Sequence, residues 1–122
     1  MSKYHFERIS QGQTFKVKGL PGDHDRMYIT INEESGAPFE VFVRYDSHEH
    51  FELINVIARL SSMALREGVP LDVVARELKD IHSPETHHIV PGTSRTCPSI
   101  TARIGEMLDK YFEQQQLKKE AA

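Results

Sequence analysis

The chain has 122 residues, of which 39% are hydrophobic and 27% charged, and its net charge is −3. This length allows one globular domain with a modest core, and the charge balance argues against a duplex-DNA binder, which carries a basic surplus on one face. A single cysteine excludes an internal disulfide or a redox dithiol. We expect a cytoplasmic protein without a membrane segment, because the N-terminus lacks an apolar signal core and no run approaches the roughly 18 apolar residues that span a bilayer.

Alternating apolar and polar residues predict three strands in the first part of the chain. The alternation covers residues 15–17, 27–31 and 39–43, and it is typical of strands with one buried face. Short turns join these runs, one rich in glycine and proline at residues 19–23 and one around Gly36. Connections this short favour an antiparallel meander over parallel crossovers.

Apolar residues at spacings of three and four then predict a helix from about residue 47 to 67. Asp46 with Glu49 can form a capping box, and Ser47 is an equally good N-cap. Gly68 lies where a left-handed C-cap belongs. The expected inner stripe consists of Leu53, Ile57, Leu60 and Ala64.

Two further helices are predicted in the second half. Pro70 suits the first turn of a short helix, whose expected inner residues are Val73, Val74, Leu78 and Ile81. A last helix follows Pro98, with helical spacing of Ile100, Ile104, Met107, Leu108, Tyr111 and Phe112. Within it, Gly105 is expected to mark close packing against the sheet or another helix.

Together these elements predict a small α+β domain. A meander of at least three antiparallel strands is followed by three helices packed on one face of the sheet. The domain is expected to cover residues 13–122, after a polar lead-in of residues 1–12.

Three blocks of sequence resemble, in order, the TSCPD domain at the C-terminus of adenosylcobalamin-dependent (class II) ribonucleotide reductases. They are MYITINEESGAPFEVFV (27–43), IARLSSMALREGVPLDVVARELKDI (57–81) and TSRTCPSITARIGEML (93–108). The third block contains the Thr-Cys-Pro helix start at residues 96–98, although Ser99 stands where the family often has an acidic residue. The reductase's catalytic barrel is absent, so the resemblance implies an accessory domain or a stand-alone protein and not a complete reductase.

Residues 82–100, HSPETHHIVPGTSRTCPSI, contain three of the seven histidines and the single cysteine. All four are metal-ligand types, namely His82, His87, His88 and Cys97. Their spacing, H-x4-H-H-x8-C, is not a standard zinc pattern. Surface histidines beside a buried cysteine are therefore favoured over a zinc site, and zinc remains the alternative.

Cys97 at a helix start is also a candidate nucleophile, because the helix dipole lowers a thiol pKa and a nearby histidine could act as base. The sequence supplies no third catalytic member and no oxyanion device. A structural cysteine at the helix start is the favoured interpretation, with a small zinc or thiol enzyme as the weaker alternative.

The start of the last helix is the best candidate for anion binding, because its first N–H groups and its dipole attract negative charge. Arg103 lies two turns from Arg95, so both guanidinium groups are expected on one side, where they suit a phosphate. The expected ligand residues are Ser94, Arg95, Thr96, Ser99 and Arg103. An ordinary Ser/Thr cap with solvated arginines is the alternative.

Two other polar clusters, GDHDR (22–26) and DSHEH (46–50), are interpreted as a hairpin loop and a helix start instead of acid–base or metal sites. Phe42 lies on the strand face opposite Val41 and Val43, which predicts a partner surface and a possible homodimer.

These observations and the resemblance lead to two hypotheses. The first is a non-catalytic accessory domain that binds a reductase catalytic chain or a nucleotide. The second is a stand-alone, oligomeric protein that binds or sequesters a phosphate-bearing nucleotide. Neither requires a cofactor, a membrane or duplex DNA.

Overall fold

A computed structural model of the chain describes residues 11–18, 20 and 26–121. The elements in order are β1 (Gln11–Val17), β2 (Met27–Glu34), β3 (Ala37–Tyr45), α1 (Phe51–Arg66), α2 (Leu71–Lys79), β4 (His88–Ile89), β5 (Thr96–Cys97) and α3 (Ile100–Ala121). The predicted α+β class is confirmed, because three antiparallel strands precede three helices. Residues 22–25 of the GDHDR cluster and residues 1–10 of the polar lead-in lie outside the described residues.

The sheet is a meander of order β1-β2-β3 with antiparallel pairing throughout. The hairpin from β2 to β3 turns at Ser35 and Gly36, whose φ angles are 53° and 80°. Two positive φ angles define a type I′ turn, whose twist matches that of the strands it joins. The turn predicted around Gly36 is therefore confirmed.

One face of the sheet is buried and forms half of the core. Its side chains come from alternate positions of the strands, including Val17, Met27, Ile29, Ile31, Val41 and Tyr45. Residues from all three helices complete the core, including Ile54, Leu65, Leu71, Val74, Ile104, Leu108 and Tyr111. The opposite face carries partly or fully exposed side chains, among them Thr30, Phe42 and Arg44.

Helix α1 begins at Phe51, with His50 as an N-cap that makes no side-chain capping bond. The predicted start near residue 47, with an Asp46 or Ser47 cap, is therefore wrong. The reason lies in β3, which stays paired through Tyr45 to Met27. The chain then turns over residues 48–50.

The inner face of α1 also differs from the predicted stripe. The buried residues are Ile54, Ala58, Ser61, Ser62 and Leu65. Leu53 and Leu60, predicted to face inward, are mostly exposed. The helix is rotated because it packs against β3, where the Ser62 hydroxyl both accepts the Val41 N–H at 2.8 Å and donates to the Val41 carbonyl at 3.0 Å.

The end of α1 is the predicted glycine cap. Gly68 has a φ of 98°, and its N–H donates to the Leu65 carbonyl while the Val69 N–H donates to the Ala64 carbonyl. This pair of bonds is the Schellman arrangement. It reverses the chain direction just before α2 begins at Leu71.

Helices α2 and α3 pack against each other at Gly105. A Cβ at this position would lie 2.8 Å from the Ala75 carbonyl oxygen and 2.9 Å from the Lys79 nitrogen. Only glycine allows the two backbones to approach this closely, so the predicted close packing is confirmed and its partner is α2. Ile81, predicted on the inner face of the second helix, lies beyond its end and is exposed.

The segment between α2 and α3 contains a two-residue ladder that the sequence did not predict. In it, β4 pairs with β5 through His88–Cys97 and Ile89–Thr96. Beneath the ladder, Val90, Cys97 and Ala102 form a small second core. This ladder places the Thr-Cys-Pro segment directly at the start of α3.

Candidate functional site

The start of α3 is capped by hydroxyl groups of the protein itself. Ser99, which is buried, accepts the Ala102 N–H at 2.8 Å and donates to the Ile81 carbonyl at 2.5 Å. The Ile100 N–H donates to the Thr86 hydroxyl at 3.2 Å. Ser99 is thus the N-cap of α3, and two donors of the first turn already have acceptors.

Both predicted arginines converge on one carboxylate. Arg95 donates to Glu106 from two nitrogens, Nη1 at 2.8 Å and Nη2 at 3.3 Å. Arg103 donates from Nη1 to Glu106 Oε1 at 2.8 Å. The two guanidinium groups face one side as expected, but not through helical spacing, because Arg95 lies before β5 and outside α3; Glu106 is the group that both contact.

The three side chains differ strongly in exposure. The side chain of Arg95 is 56% exposed, that of Glu106 15% and that of Arg103 7%. Arg103 is therefore a buried cation, while Arg95 contacts the carboxylate from the solvent side. Two cations against one anion leave one positive charge unbalanced among the three groups.

The carboxylate of Glu106 is ionised well into the acid range. Its partial burial alone would raise the pKa, but hydrogen bonds and charge attraction from Arg95 and Arg103 lower the pKa to about 2. The same contacts raise the pKa of Arg95 above its ordinary value. Glu106 and Arg95 therefore both stay charged over the whole physiological range.

Arg103 retains unused hydrogen-bonding capacity. Among the described residues, three buried polar atoms have no hydrogen-bond partner, namely Arg103 Nε, His88 Nε2 and the Tyr111 hydroxyl. Buried polar groups are nearly always paired. The unpaired Nε indicates that Glu106 does not saturate this arginine.

The remaining predicted ligand residues surround Arg95. Ser94 and Thr96 are its exposed neighbours in the chain, and the Arg95 N–H donates to the Thr93 hydroxyl at 3.2 Å. Sequence reasoning missed Glu106, although its position three residues after Arg103 on the same helix is the usual spacing of a helical ion pair.

Cys97 is a buried residue at β5 and has no exposed surface. Its Sγ lies 3.4 Å from the Ser99 carbonyl oxygen. Burial is the main cause of a raised pKa for this thiol, and the Glu106 carboxylate adds to it. A raised pKa disfavours the reactive thiolate, which supports the structural interpretation of this cysteine.

The histidines of the 82–100 segment lie in different environments, and the prediction that they are surface residues is wrong for His88. His82 and His87 line a shallow cavity with Cys97, whereas His88 is buried and its Nδ1 lies 2.9 Å from the Thr86 carbonyl. In the part of the chain that the structure describes, no three His, Cys, Asp or Glu side chains are grouped so that they could hold a metal ion. Over the same residues, no helix has the length and apolar character needed to cross a membrane.

Comparison with known proteins gives one match. A family model described as the TSCPD domain matches residues 3–112, nearly the whole chain, and this domain is found in ribonucleotide reductases. No curated protein and no solved structure matches significantly. The match includes the three-stranded meander, helices α1 and α2, and the arginine–glutamate cluster at the start of α3. The chain therefore belongs to the TSCPD domain family.

Proposed function

We propose that this chain is a non-catalytic accessory domain of a ribonucleotide-reducing system and that it binds a phosphate-bearing nucleotide at the start of α3. The observation that carries the proposal is the convergence of Arg95 and Arg103 on the single carboxylate of Glu106. A cluster with one surplus positive charge attracts an anion, and paired guanidinium groups match the geometry of phosphate oxygens.

Arg95 is the group that would exchange partners. Because it is largely exposed and Arg103 is not, Arg95 can leave Glu106 for a ligand phosphate while Arg103 keeps the carboxylate neutralised. The exposed hydroxyl groups of Ser94 and Thr96 are further donors beside it. Ser99, which the sequence also suggested as a ligand residue, serves this site by capping and fixing the helix.

Membership of the TSCPD family supports a nucleotide as the ligand. Ribonucleotide reductases act on nucleotides, so a domain found in them is well placed to recognise a nucleotide phosphate or the chain that carries the reaction. The same cluster also fits the alternative of a stand-alone nucleotide-binding protein. The two proposals differ in whether a reductase chain is required.

A thermal-shift titration with nucleoside di- and triphosphates tests the ligand. We expect a midpoint that rises with the logarithm of nucleotide concentration. Arg95→Ala should weaken binding about 10-fold or more, because a hydrogen bond to a charged group contributes about 1.5–3 kcal/mol. Arg76→Ala, an exposed arginine on α2, is the matched control. Glu106→Gln should strengthen binding, because it removes the competing anion.

Two results would contradict nucleotide binding: no midpoint change with any nucleotide, or equal affinities for the wild type and Arg95→Ala. Gel filtration with a purified reductase catalytic chain that lacks a TSCPD domain tests the accessory role. Co-elution supports that role. A strong nucleotide response without co-elution supports the stand-alone alternative instead.

A further inference from the structure

The outer side of α1 is apolar and exposed. Four of its residues, which we call the outer stripe, are Leu53, Val56, Leu60 and Met63, and each is 46–65% exposed. The other side of the helix packs on β3 through buried residues such as Ile54 and Leu65. The helix therefore has two apolar sides, of which the described residues of one chain cover only one.

The outer stripe has the spacing of a helix-pairing seam. Its residues follow one another at intervals of three, four and three, which is the a/d pattern of paired helices. Ile57 and Ala64, both partly buried, lie along one flank of the stripe and widen it. A stripe of this width and regularity suits a second helix better than a small ligand.

We propose that the outer stripe binds a second copy of this chain, with the two α1 helices antiparallel about a two-fold axis. The stripe is self-complementary in this arrangement. When Leu53 faces Met63 of the second copy, Val56 faces Leu60 of the second copy, and the two-fold axis repeats both contacts. The axis then passes near the level of Ala58.

Charge on the other flank of the stripe selects the antiparallel direction. Glu52, Arg59 and Arg66 recur there every seven residues. In the antiparallel pair this flank meets its own copy, so Glu52 faces Arg66 of the second copy twice. In a parallel pair the flank would meet Ile57 and Ala64, and the charges would gain no partner.

Arg59 is the one unfavourable element, because it faces Arg59 of the second copy near the axis. It is exposed, which limits the repulsion through solvent screening. The groove that Arg59 lines is also lined by Glu40 of β3, so an opposite charge is present in the same groove.

The interface extends beyond the helix. A 16-residue helix is about 24 Å long and about 10 Å wide. The area of one side of this helix is therefore less than the roughly 800 Å² per partner of a standard interface. The adjoining groove between α1 and β3, of about 440 Å³, is lined by Phe42 next to Leu60 and Met63. Phe42 is exposed and extends the contact beyond the helix, but the combined area stays below that of a standard interface, so we expect a weak dimer.

Sedimentation analysis of the full chain over a concentration series tests this proposal. We expect the mass to rise from 14.0 kDa toward twice that value. Leu60→Glu should raise the dissociation constant at least about 10-fold, because each substitution occurs twice per dimer and places a charge in an apolar contact. Leu117→Glu is the matched control, since Leu117 is 65% exposed on α3 and lies outside the stripe.

Charge reversal and cross-linking test the direction of pairing. Glu52→Arg and Arg66→Glu should each weaken the dimer, and the double variant should restore it. Arg59→Cys should form a disulfide across the axis under mild oxidation, whereas Arg76→Cys on α2 should not. The only native cysteine, Cys97, is buried and does not compete.

A mass of 14.0 kDa at every concentration would overturn the proposal, even if a reductase chain bound the stripe. A dimer that Leu60→Glu leaves intact would show that another surface is used. If the double charge variant stays weak, or Arg59→Cys does not cross-link, the antiparallel register is wrong. None of these results depends on nucleotide binding at α3.

Discussion

The start of α3 and the outer stripe of α1 present opposite kinds of surface. At α3, polar and charged groups lie close together, and most of them bind one another: Ser99 caps the helix and Glu106 holds two arginines. At α1, the side chains are apolar and face solvent. A cluster of polar and charged side chains therefore does not by itself mark a surface that lacks partners. Among the described residues, most polar groups at α3 are paired, whereas the apolar outer stripe faces solvent.

Removing the buried cation, Arg103, should give the largest difference in stability loss between these two regions. Arg103→Ala leaves the Glu106 carboxylate with only the exposed Arg95, and breaking a buried ion pair costs about 3–5 kcal/mol. Urea denaturation should report a loss near the lower end of this range. Arg59→Ala, an exposed arginine of α1, should change stability by less than about 0.5 kcal/mol. Similar losses for the two variants would mean that Arg103 is not an anchor.

Glu106→Gln should lower the free energy of unfolding by an intermediate amount that depends on pH. The folded-state pKa of this carboxyl is depressed, so its contribution to stability is complete above the ordinary pKa of 4.5 and disappears as pH falls toward about 2. We expect a loss of about 2 kcal/mol at pH 7, moderated by the exposure of Arg95. The stabilities of the wild type and the variant should converge near pH 2.

The measurement is a set of urea titrations between pH 2 and pH 7. Glu113→Gln, which changes an exposed glutamate of the same helix, controls for a general effect of charge. A constant difference between the wild type and Glu106→Gln over this range would contradict the ion-pair assignment.

A substitution in the outer stripe should have the smallest effect on the free energy of unfolding. Leu60→Gln should change the free energy of unfolding by no more than about 0.5 kcal/mol in dilute solution, because the side chain is exposed in a single chain. Leu108→Ala, which truncates a fully buried leucine, should cost about 2–5 kcal/mol. Equal losses would show that the stripe belongs to the core of the single chain.

Much of the fold could be predicted because local residues determine it. The Ser35–Gly36 turn and the Gly68 cap each need a backbone conformation that few residues adopt, so their positions are visible in the sequence. The inner face of α1 could not be predicted in this way. Apolar residues occur on both sides of that helix, and periodicity alone does not say which side meets the sheet.

The arrangement of the site was predicted for a wrong reason. A two-turn helical spacing was expected to put Arg95 and Arg103 on one side, but Arg95 lies before β5, outside α3, and the two meet through Glu106. The β4–β5 ladder was missed because each strand has only two residues and its pairing is fixed by tertiary contacts. The cap from Thr86 to Ile100 was missed because it joins residues 14 positions apart.

The double hydrogen bond between Ser62 and Val41 has a consequence for how copies of this chain can assemble. Strand β3 is at the edge of the sheet, and edge strands are where sheets of different molecules add to one another and grow into fibrils. Ser62 occupies both backbone groups of Val41, so an incoming strand meets a helix and finds its register interrupted. The hydroxyl thus disfavours the addition of a strand from another molecule at Val41 of β3.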